Sequence, residues 1–343
     1  MAEAPLRTAL IGGGGMGGVH AQGYAGFASA NLVAVCDPRL EAAQALANVH
    51  NAAAYTDVDT MLSEVKPDVV DVCVPTPYHC ETVCRLASAG LKGIIVEKPM
   101  ARSVEECERM TAACAESGTR LFVAHVLRFF PEFVTARTQV LSGAVGRPCA
   151  VRTKRGGAFP RGWDDWYGDL GRSGGLVLDL IIHDFDWLRW TFGEVDRVFA
   201  RGASHGSANG SVGMDYALVT LRFQSGVIAH VEGTWADPSG FKVAFEIAGD
   251  NGMLEYNFNQ PASQPLTTAR KQPPGAPAAV AVPENPTAAS PYQLELEHFA
   301  DCILNGAEPR ITPQDGLEAV RIAIAACESM RTGSPVLVKG AAR

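Results

Sequence analysis

Residues 8–27, TALIGGGGMGGVHAQGYAGF, decide how the first half of the chain is read. Thr8 to Ile11 is a short apolar strand that runs straight into a glycine turn, and the segment after the turn is helical in pattern. Gly12, Gly14 and Gly17 satisfy the spacing G-x-G-x-x-G, with Gly15 and Met16 inside the run. The first glycine of such a turn permits a tight reversal, the second lets the backbone approach a pyrophosphate, and the third lets helix and strand pack closely. The pyrophosphate then lies at the positive end of the helix dipole. A glycine run alone also describes a flexible loop, so its context matters. The next apolar strand, Leu32 to Cys36, ends in Asp37, twenty residues beyond Gly17. A dinucleotide fold places there the carboxylate that accepts hydrogen bonds from the adenosine ribose. Asp37 repels a 2′-phosphate, which predicts NAD as cofactor. Arg39, two residues on, is positioned to accommodate that phosphate and keeps NADP open.

The alternation continues outward from this turn. Leu40 to Val49 is helical in pattern, Val69 to Val74 is a strand ending at Pro75-Thr76-Pro77-Tyr78-His79, and Glu81 to Ala89 is a helix. Gly93 to Val96 is a fourth strand followed by Glu97-Lys98-Pro99-Met100; a helix over Val104 to Ser117 leads to a fifth strand, Arg120 to Ala124. Strands alternating with helices predict a doubly wound parallel sheet covered on both faces. Ligands of such sheets bind beyond the carboxyl ends of the strands. Gly12, Asp37, Thr76, His79, Glu97, Lys98 and His125 all fall at such ends. Taken alone, Glu97-Lys98 reads as a solvated loop pair held by Pro99.

The 343 residues exceed one ordinary domain. A hydrophobic content of 47% against 19% charged residues is that of a chain with a sizeable core. The formal charge of −8 argues against nucleic acid or an anionic membrane as the main partner. Nine scattered cysteines contain no C-x-x-C pair. Cys80 and Cys84 share a helix face, but no further Cys/His group lies nearby, so reduced thiols and no metal are expected. The N-terminal MAEAPLRTALIGGGG lacks a charged leader with a long apolar core, and no apolar run reaches membrane-spanning length. These features predict a cytoplasmic protein.

Beyond residue 125 the pattern changes, which predicts a dinucleotide-binding domain over 1–125 and an α+β domain over 126–343. Helical segments near 131–142, 175–192, 291–305 and 313–331 are interspersed with strands at Ala150–Thr153, Val195–Arg201, Tyr216–Gln224, Val227–Trp235, Lys242–Ala248 and Met253–Asn257. Ser225-Gly226 and Asn251-Gly252 are hairpin signals, so this sheet is expected to be mostly antiparallel. One face, Ala217, Val219, Leu221 and Phe223, is apolar; the mixed opposite face predicts an open sheet and a subunit interface, hence a homo-oligomer. Gln260 to Ser290, with seven prolines, reads as a long irregular loop. Pro291 and Pro313 suit the first position of a helix.

The segment GRSGGLVLDLIIHDFDWLRWTFG, residues 171–193, is apolar on nearly every face and predicts a buried helix. Asp179, His183 and Asp186, spaced i, i+4 and i+7, fall on one arc of it. Charged groups in such a setting are paired or face a cavity, so the stripe is either a satisfied structural pair or one wall of an active site. Arg152, Lys154, Arg155 and Arg161 read as a solvated basic face, with a phosphate contact as the alternative.

Taken together, G-G-G-G-M-G from Gly12, Glu97-Lys98-Pro99, Arg128-Phe129 before Pro131, and Ser173-Gly174-Gly175 leading into Asp179 and His183 resemble the glucose-fructose oxidoreductase/inositol dehydrogenase (Gfo/Idh/MocA) family. The resemblance runs from about Thr8 to about Val338. It implies a Rossmann domain followed by an α+β domain with an open antiparallel sheet. The implied activity is hydride transfer between a nicotinamide cofactor and a secondary alcohol of a sugar, sugar derivative or inositol. By resemblance Lys98 touches substrate and cofactor, Asp179 holds a substrate hydroxyl, His183 accepts a proton, and His79 matches a family position beyond the third strand. His125, Arg128 and Trp163 complete the expected substrate groups. A redox-neutral enzyme of the same family and a non-catalytic dinucleotide sensor are the alternatives.

Overall fold

The computed structural model describes residues 4–203, 216–237, 240–257 and 289–338. Its first elements are β1 (Leu6–Ile11), α1 (Gly15–Tyr24), β2 (Ala30–Cys36), α2 (Leu40–His50), β3 (Ala53–Tyr55), α3 (Val58–Val65), β4 (Val69–Val72), α4 (His79–Ala87), β5 (Gly93–Glu97), α5 (Val104–Ser117) and β6 (Arg120–Ala124). There follow α6 (Pro131–Leu141), β7 (Pro148–Gly156), α7 (Leu170–Ser173), α8 (Gly175–Asp179), α9 (Ile182–Phe192), β8 (Val195–Ala203), β9 (Tyr216–Phe223), β10 (Ile228–Thr234), β11 (Lys242–Gly249) and β12 (Met253–Asn257). The chain closes with α10 (Pro291–Asn305), α11 (Pro313–Thr332) and β13 (Val336–Leu337).

Two compact units result: Met1–Phe129 with Val282–Leu317, and Phe130–Ala281 with Glu318–Arg343. The continuous boundary expected at 125/126 differs from this division. The segment 282–317 belongs with the first unit because α10 packs on α1. The approach is close enough that a Cβ at Gly23 would lie 2.9 Å from Leu296 Cδ1. Phe299 of α10 also stacks on Phe122 of β6 at 5.0 Å between ring centres.

In the first unit six parallel strands are ordered β3-β2-β1-β4-β5-β6. Every residue of β4 and β5 is buried, as central strands covered on both faces require, the acids Asp71 and Glu97 included. The sequence reading placed five strands here; β3 and α3 are additional. At three residues, AAY, β3 is too short to show a period, whereas α3 does carry a cap, Asp57 Oδ1 accepting from the Thr60 amide at 2.8 Å.

The second unit is built on a seven-stranded sheet ordered β12-β11-β7-β10-β9-β8-β13, antiparallel throughout except for the parallel pair β10–β7. Ala217, Val219, Leu221 and Phe223 point into the core, whereas Phe199, Leu218, Ile228 and Met253 are exposed. Against the core face packs α9, whose Trp187 donates Nε1–H to the Phe133 carbonyl at 3.1 Å and meets the Phe133 ring edge-on. The proline-rich stretch expected as an irregular loop lies almost wholly outside the described residues.

The single helix expected over 175–192 is two helices. Leu180 and Ile181 both donate to the Leu176 carbonyl, at 2.9 and 3.2 Å, which closes α8 on a widened turn. At that break Ile181 packs so tightly on β10 that residue 233 has no room for a side chain, and Gly233 occupies it. Asp179 therefore ends one helix and His183 is the second residue of the next, so the straight i, i+4, i+7 stripe is not kept.

Candidate active site

The glycine turn after β1 contains two kinds of glycine. Gly12 sits at φ +108°, where a Cβ would come within 2.5 Å of the Cys73 carbonyl oxygen, and a Cβ at Gly17 would fall on the Gly12 carbonyl. Fold geometry alone demands those two. Gly14 and Gly15 are different, since a Cβ at either would meet nothing within 4 Å. Their bareness leaves an open cradle in front of α1, whose N-cap Gly14 supplies no side-chain hydrogen bond. Amides and dipole at such a helix start suit a pyrophosphate. We expect Gly14→Ala to cost no more than about 1 kcal/mol of stability, as an N-cap substitution in open space. The same change should weaken NAD binding by at least roughly tenfold, or 1.4 kcal/mol. Thermal unfolding and NAD titration of one variant check both halves, and undiminished NAD affinity would remove Gly14 from the cradle.

At the end of β2, Asp37 Oδ2 accepts from the Gly13 amide at 2.9 Å, and Oδ1 accepts from the Arg39 amide at 2.9 Å. The Arg39 guanidinium clasps both oxygens, Nε to Oδ1 and Nη2 to Oδ2, each at 3.0 Å. Burial works to raise the Asp37 carboxyl, but the Arg39 side chain with the Arg39 and Gly13 amides outweighs it and holds the group below the usual range. The carboxylate is thus ionised beside the turn, as ribose recognition requires. Open cradle, bare helix start and ionised Asp37 together fit a dinucleotide.

Beyond β5 lies Lys98, half-buried and followed by a cis bond to Pro99. Its own amide donates to Glu97 Oε2 at 2.8 Å. Glu97 Oε1 is 3.0 Å from His20 Nε2, and His20 Nδ1 is 2.8 Å from Asp71 Oδ2, which also accepts from the Tyr24 hydroxyl at 2.9 Å. Among the described residues His20, Asp71 and Cys73 are the one set whose ligand atoms converge. The 2.8 Å between Nδ1 and Oδ2 is a hydrogen-bond length, whereas a tetrahedral ion about 2.0–2.2 Å from each would set them roughly 3.4 Å apart.

In the second unit Asp179 is buried at the end of α8 and His183 is half-buried at the start of α9. Asp184, next to His183, forms a buried ion pair with Arg155 of β7, Nε to Oδ2 at 2.6 Å. Trp163 is 52% exposed, in a turn where Asp164 and Asp165 both adopt positive φ, 57° and 44°.

The profile of an oxidoreductase family with an NAD-binding Rossmann fold matches residues 6–125, and that of the GFO/IDH/MocA C-terminal domain matches residues 133–255. The chain belongs to the Gfo/Idh/MocA family. An inositol 2-dehydrogenase of Rhizobium meliloti is 30% identical over 95% of this chain and 97% of its own length. The scyllo-inositol 2-dehydrogenase (NAD(+)) of Bacillus subtilis is 29% identical over 97% and 96%. Among solved structures, GenD2 from gentamicin A biosynthesis, in complex with NAD, superposes with a TM-score of 0.86 at 26% identity, covering 99% of this chain and 98% of that one. This Gfo/Idh/MocA chain is accordingly an oxidoreductase with an NAD-binding Rossmann domain.

Within that Gfo/Idh/MocA framework several residues expected at ligands prove to have other partners. Arg128, expected at the substrate, is 1% exposed; its Nη1 donates to the Arg310 carbonyl at 2.7 Å and its Nη2 lies 3.2 Å from Asp315. It ties the turn after β6 to the start of α11. His79, expected at the cofactor, is buried with Nδ1 and Nε2 each 2.9 Å from a main-chain oxygen, those of Pro99 and Val74. Burial pushes its imidazole below the ordinary value. Glu97 is buried in the His20 network and is not the solvated loop residue that its neighbours suggested. Arg155, read as part of a solvated basic face, is buried against Asp184. Thr76 and His125 are buried at their strand ends.

The sequence reading missed His20, Asp71 and Asp184. Asp71 did leave a signal: an acid inside VVDVCV, a strand otherwise apolar, requires a buried partner. The Cys80 and Cys107 thiols are pushed up to about 12 by burial, which makes them poor nucleophiles and poor metal ligands. Among the described residues no helix is long and apolar enough to cross a membrane.

Proposed function

We propose that the protein oxidises a secondary carbinol of an inositol, sugar or sugar derivative with NAD. The observation that carries this reading is the joint presence of Lys98, Asp179 and His183 in a chain similar along almost its whole length to two inositol 2-dehydrogenases. NAD, when bound, supplies the acceptor for the hydride leaving the carbinol carbon. Gly12, Gly14, Gly15, Met16 and Gly17 form the turn that holds its pyrophosphate, and Asp37 binds the ribose hydroxyls. As the C–H bond breaks, the carbinol O–H proton passes to His183, histidine being the side chain most often used as a general base. The Lys98 ammonium offsets negative charge gathering on the carbinol oxygen. Asp179 accepts a hydrogen bond from a further hydroxyl, which fixes which ring carbon faces the cofactor. A polyhydroxylated ring satisfies such polar groups, whereas a simple alcohol leaves them unpaired at roughly 1–3 kcal/mol for each buried group.

The nine free cysteines support a reducing compartment, the cytoplasm, as the place of action. The exposed face of the second sheet, with Phe199, Leu218, Ile228 and Met253, supports self-association through that face, read out by light scattering.

A panel of inositols, aldoses and glycosides incubated with NAD or NADP tests the reading. We expect reduced nicotinamide from at least one cyclic polyol or sugar, with a higher kcat/KM for NAD than for NADP. Cleavage of a glycoside with no net reduced nicotinamide would establish the redox-neutral alternative, and binding of NAD without turnover of any member would favour a sensor.

A further inference from the structure

The polar cluster beneath Lys98 is placed where its purpose is not obvious from packing. His20 is fully buried on α1, and both of its ring nitrogens face carboxylate oxygens, Asp71 Oδ2 at 2.8 Å and Glu97 Oε1 at 3.0 Å. Carboxylates only accept, so the ring donates at both ends as an imidazolium. Burial works against that charge, but the Asp71 carboxylate outweighs it and holds the imidazole well above its ordinary value. Likewise burial favours a neutral Glu97, and the His20 hydrogen bond overrides it and keeps the carboxyl below the usual range. A strand and a helix can be joined by apolar contacts at no such desolvation cost. The second Glu97 oxygen shows what the cluster adds: Oε2 accepts the Lys98 amide proton at 2.8 Å. On the other side of Lys98, the Pro99 carbonyl lies 2.9 Å from His79 Nδ1.

We propose that His20 is a positioning residue for Lys98, acting through Glu97: the imidazolium fixes the Glu97 carboxylate, and the carboxylate fixes the Lys98 main chain at the end of β5. The chain of contacts is Tyr24 to Asp71 to His20 to Glu97 to the Lys98 amide, so α1, β4 and β5 jointly set where the lysine side chain starts. The functional weight of this inference rests on the catalytic role given to Lys98 above; the placement itself does not.

Two substitutions divide the anchor from the brace. Asparagine carries its amide nitrogen near the Nδ1 position and can donate to Asp71 only, whereas glutamine carries it near Nε2 and can donate to Glu97 only. Both lose the positive charge, so a purely structural role affects them alike. Hydrogen-exchange NMR on the full chain is the first readout. We expect the Lys98 amide to exchange at least about tenfold faster in His20→Asn than in His20→Gln, with the β6 amides of Phe122 and Val123 equal in the two. Turnover of the polyol that wild type oxidises fastest is the second. There we expect kcat to fall at least about tenfold in His20→Asn and to stay within about threefold of wild type in His20→Gln, since small misplacement of a catalytic group costs up to about 10². KM for NAD should be unchanged in both. Equal Lys98 exchange in the two variants, or equal losses of kcat, would overturn the proposal. If neither variant folds, Glu97→Ala and Glu97→Gln read the same link from its other end, with faster Lys98 exchange expected in the alanine form and equal exchange refuting the brace. Wild-type turnover in Lys98→Ala would instead refute the catalytic role of the lysine, and the exchange comparison would still decide whether His20 holds its main chain.

Discussion

Replacing His183 by alanine is expected to lower kcat by about 10²–10⁴-fold, the usual contribution of a positioned general base. NAD affinity should stay within about twofold of the parent, because the glycine turn and Asp37 belong to the first unit and His183 to the second. The helix should persist too. His183 is the second residue of α9, half-buried, and the packing of that helix comes from Phe185, Trp187 and Leu188, all fully buried. Removing the imidazole therefore leaves the core contacts of the helix in place. Pre-steady-state measurement in deuterated substrate adds a second check: with proton removal impaired, the chemical step limits turnover and the isotope effect on kcat grows. Turnover near the parental value on the true substrate would mean that the proton leaves by another group, and the role given to His183 would be wrong.

How much of this was legible in the sequence depends on the range over which each feature is specified. The parallel sheet was readable because its signals are local. An apolar run ending in Gly12, another ending in Asp37, and the helical patterns between such strands need no knowledge of distant residues. The antiparallel sheet was readable for the same reason, through the alternation at 217–223 and the turns at Gly226 and Gly252. What escaped was everything whose cause lies far along the chain. The break between α8 and α9 has no proline and no glycine to announce it; it is set by Ile181 fitting against Gly233. His20 looks like any residue of a glycine-rich helix start until Asp71 and Glu97, 51 and 77 positions away, are brought to its two nitrogens. The ion pair of Arg128 with Asp315 was hidden because the acid lies 187 positions on. A charged side chain at the end of a strand has two fates, ligand or strut, and only the fold decides between them.

The Arg155–Asp184 pair was hidden in the same way, and its removal is expected to have the largest effect on stability. Arg155 is 3% exposed and Asp184 fully buried at the side chain, with Nε and Oδ2 2.6 Å apart. Phe241 lies beside the guanidinium at 5.8 Å from ring centre to Cζ, and among the described residues no other guanidinium or ammonium pairs with Asp184. Arg155→Ala therefore strands an ionised carboxylate in the core, a change that costs about 3–5 kcal/mol. Removing both charges with volume kept, as in Arg155→Met with Asp184→Leu, should recover most of that loss, because a buried pair repays little more than its own desolvation. All five tryptophans of the chain, Trp163, Trp166, Trp187, Trp190 and Trp235, belong to the second unit, so selectively excited tryptophan fluorescence follows the unfolding of that unit. In urea the fluorescence midpoint should fall by about 1–2.5 M in Arg155→Ala, taking a slope of about 2–3 kcal/mol/M for a unit of this size. The double variant should unfold near the parent. A single variant as stable as the parent would show that Asp184 finds water or a proton on losing its partner, and a double variant as unstable as the single would show that the guanidinium contributes through its packing on Phe241 and not through its charge.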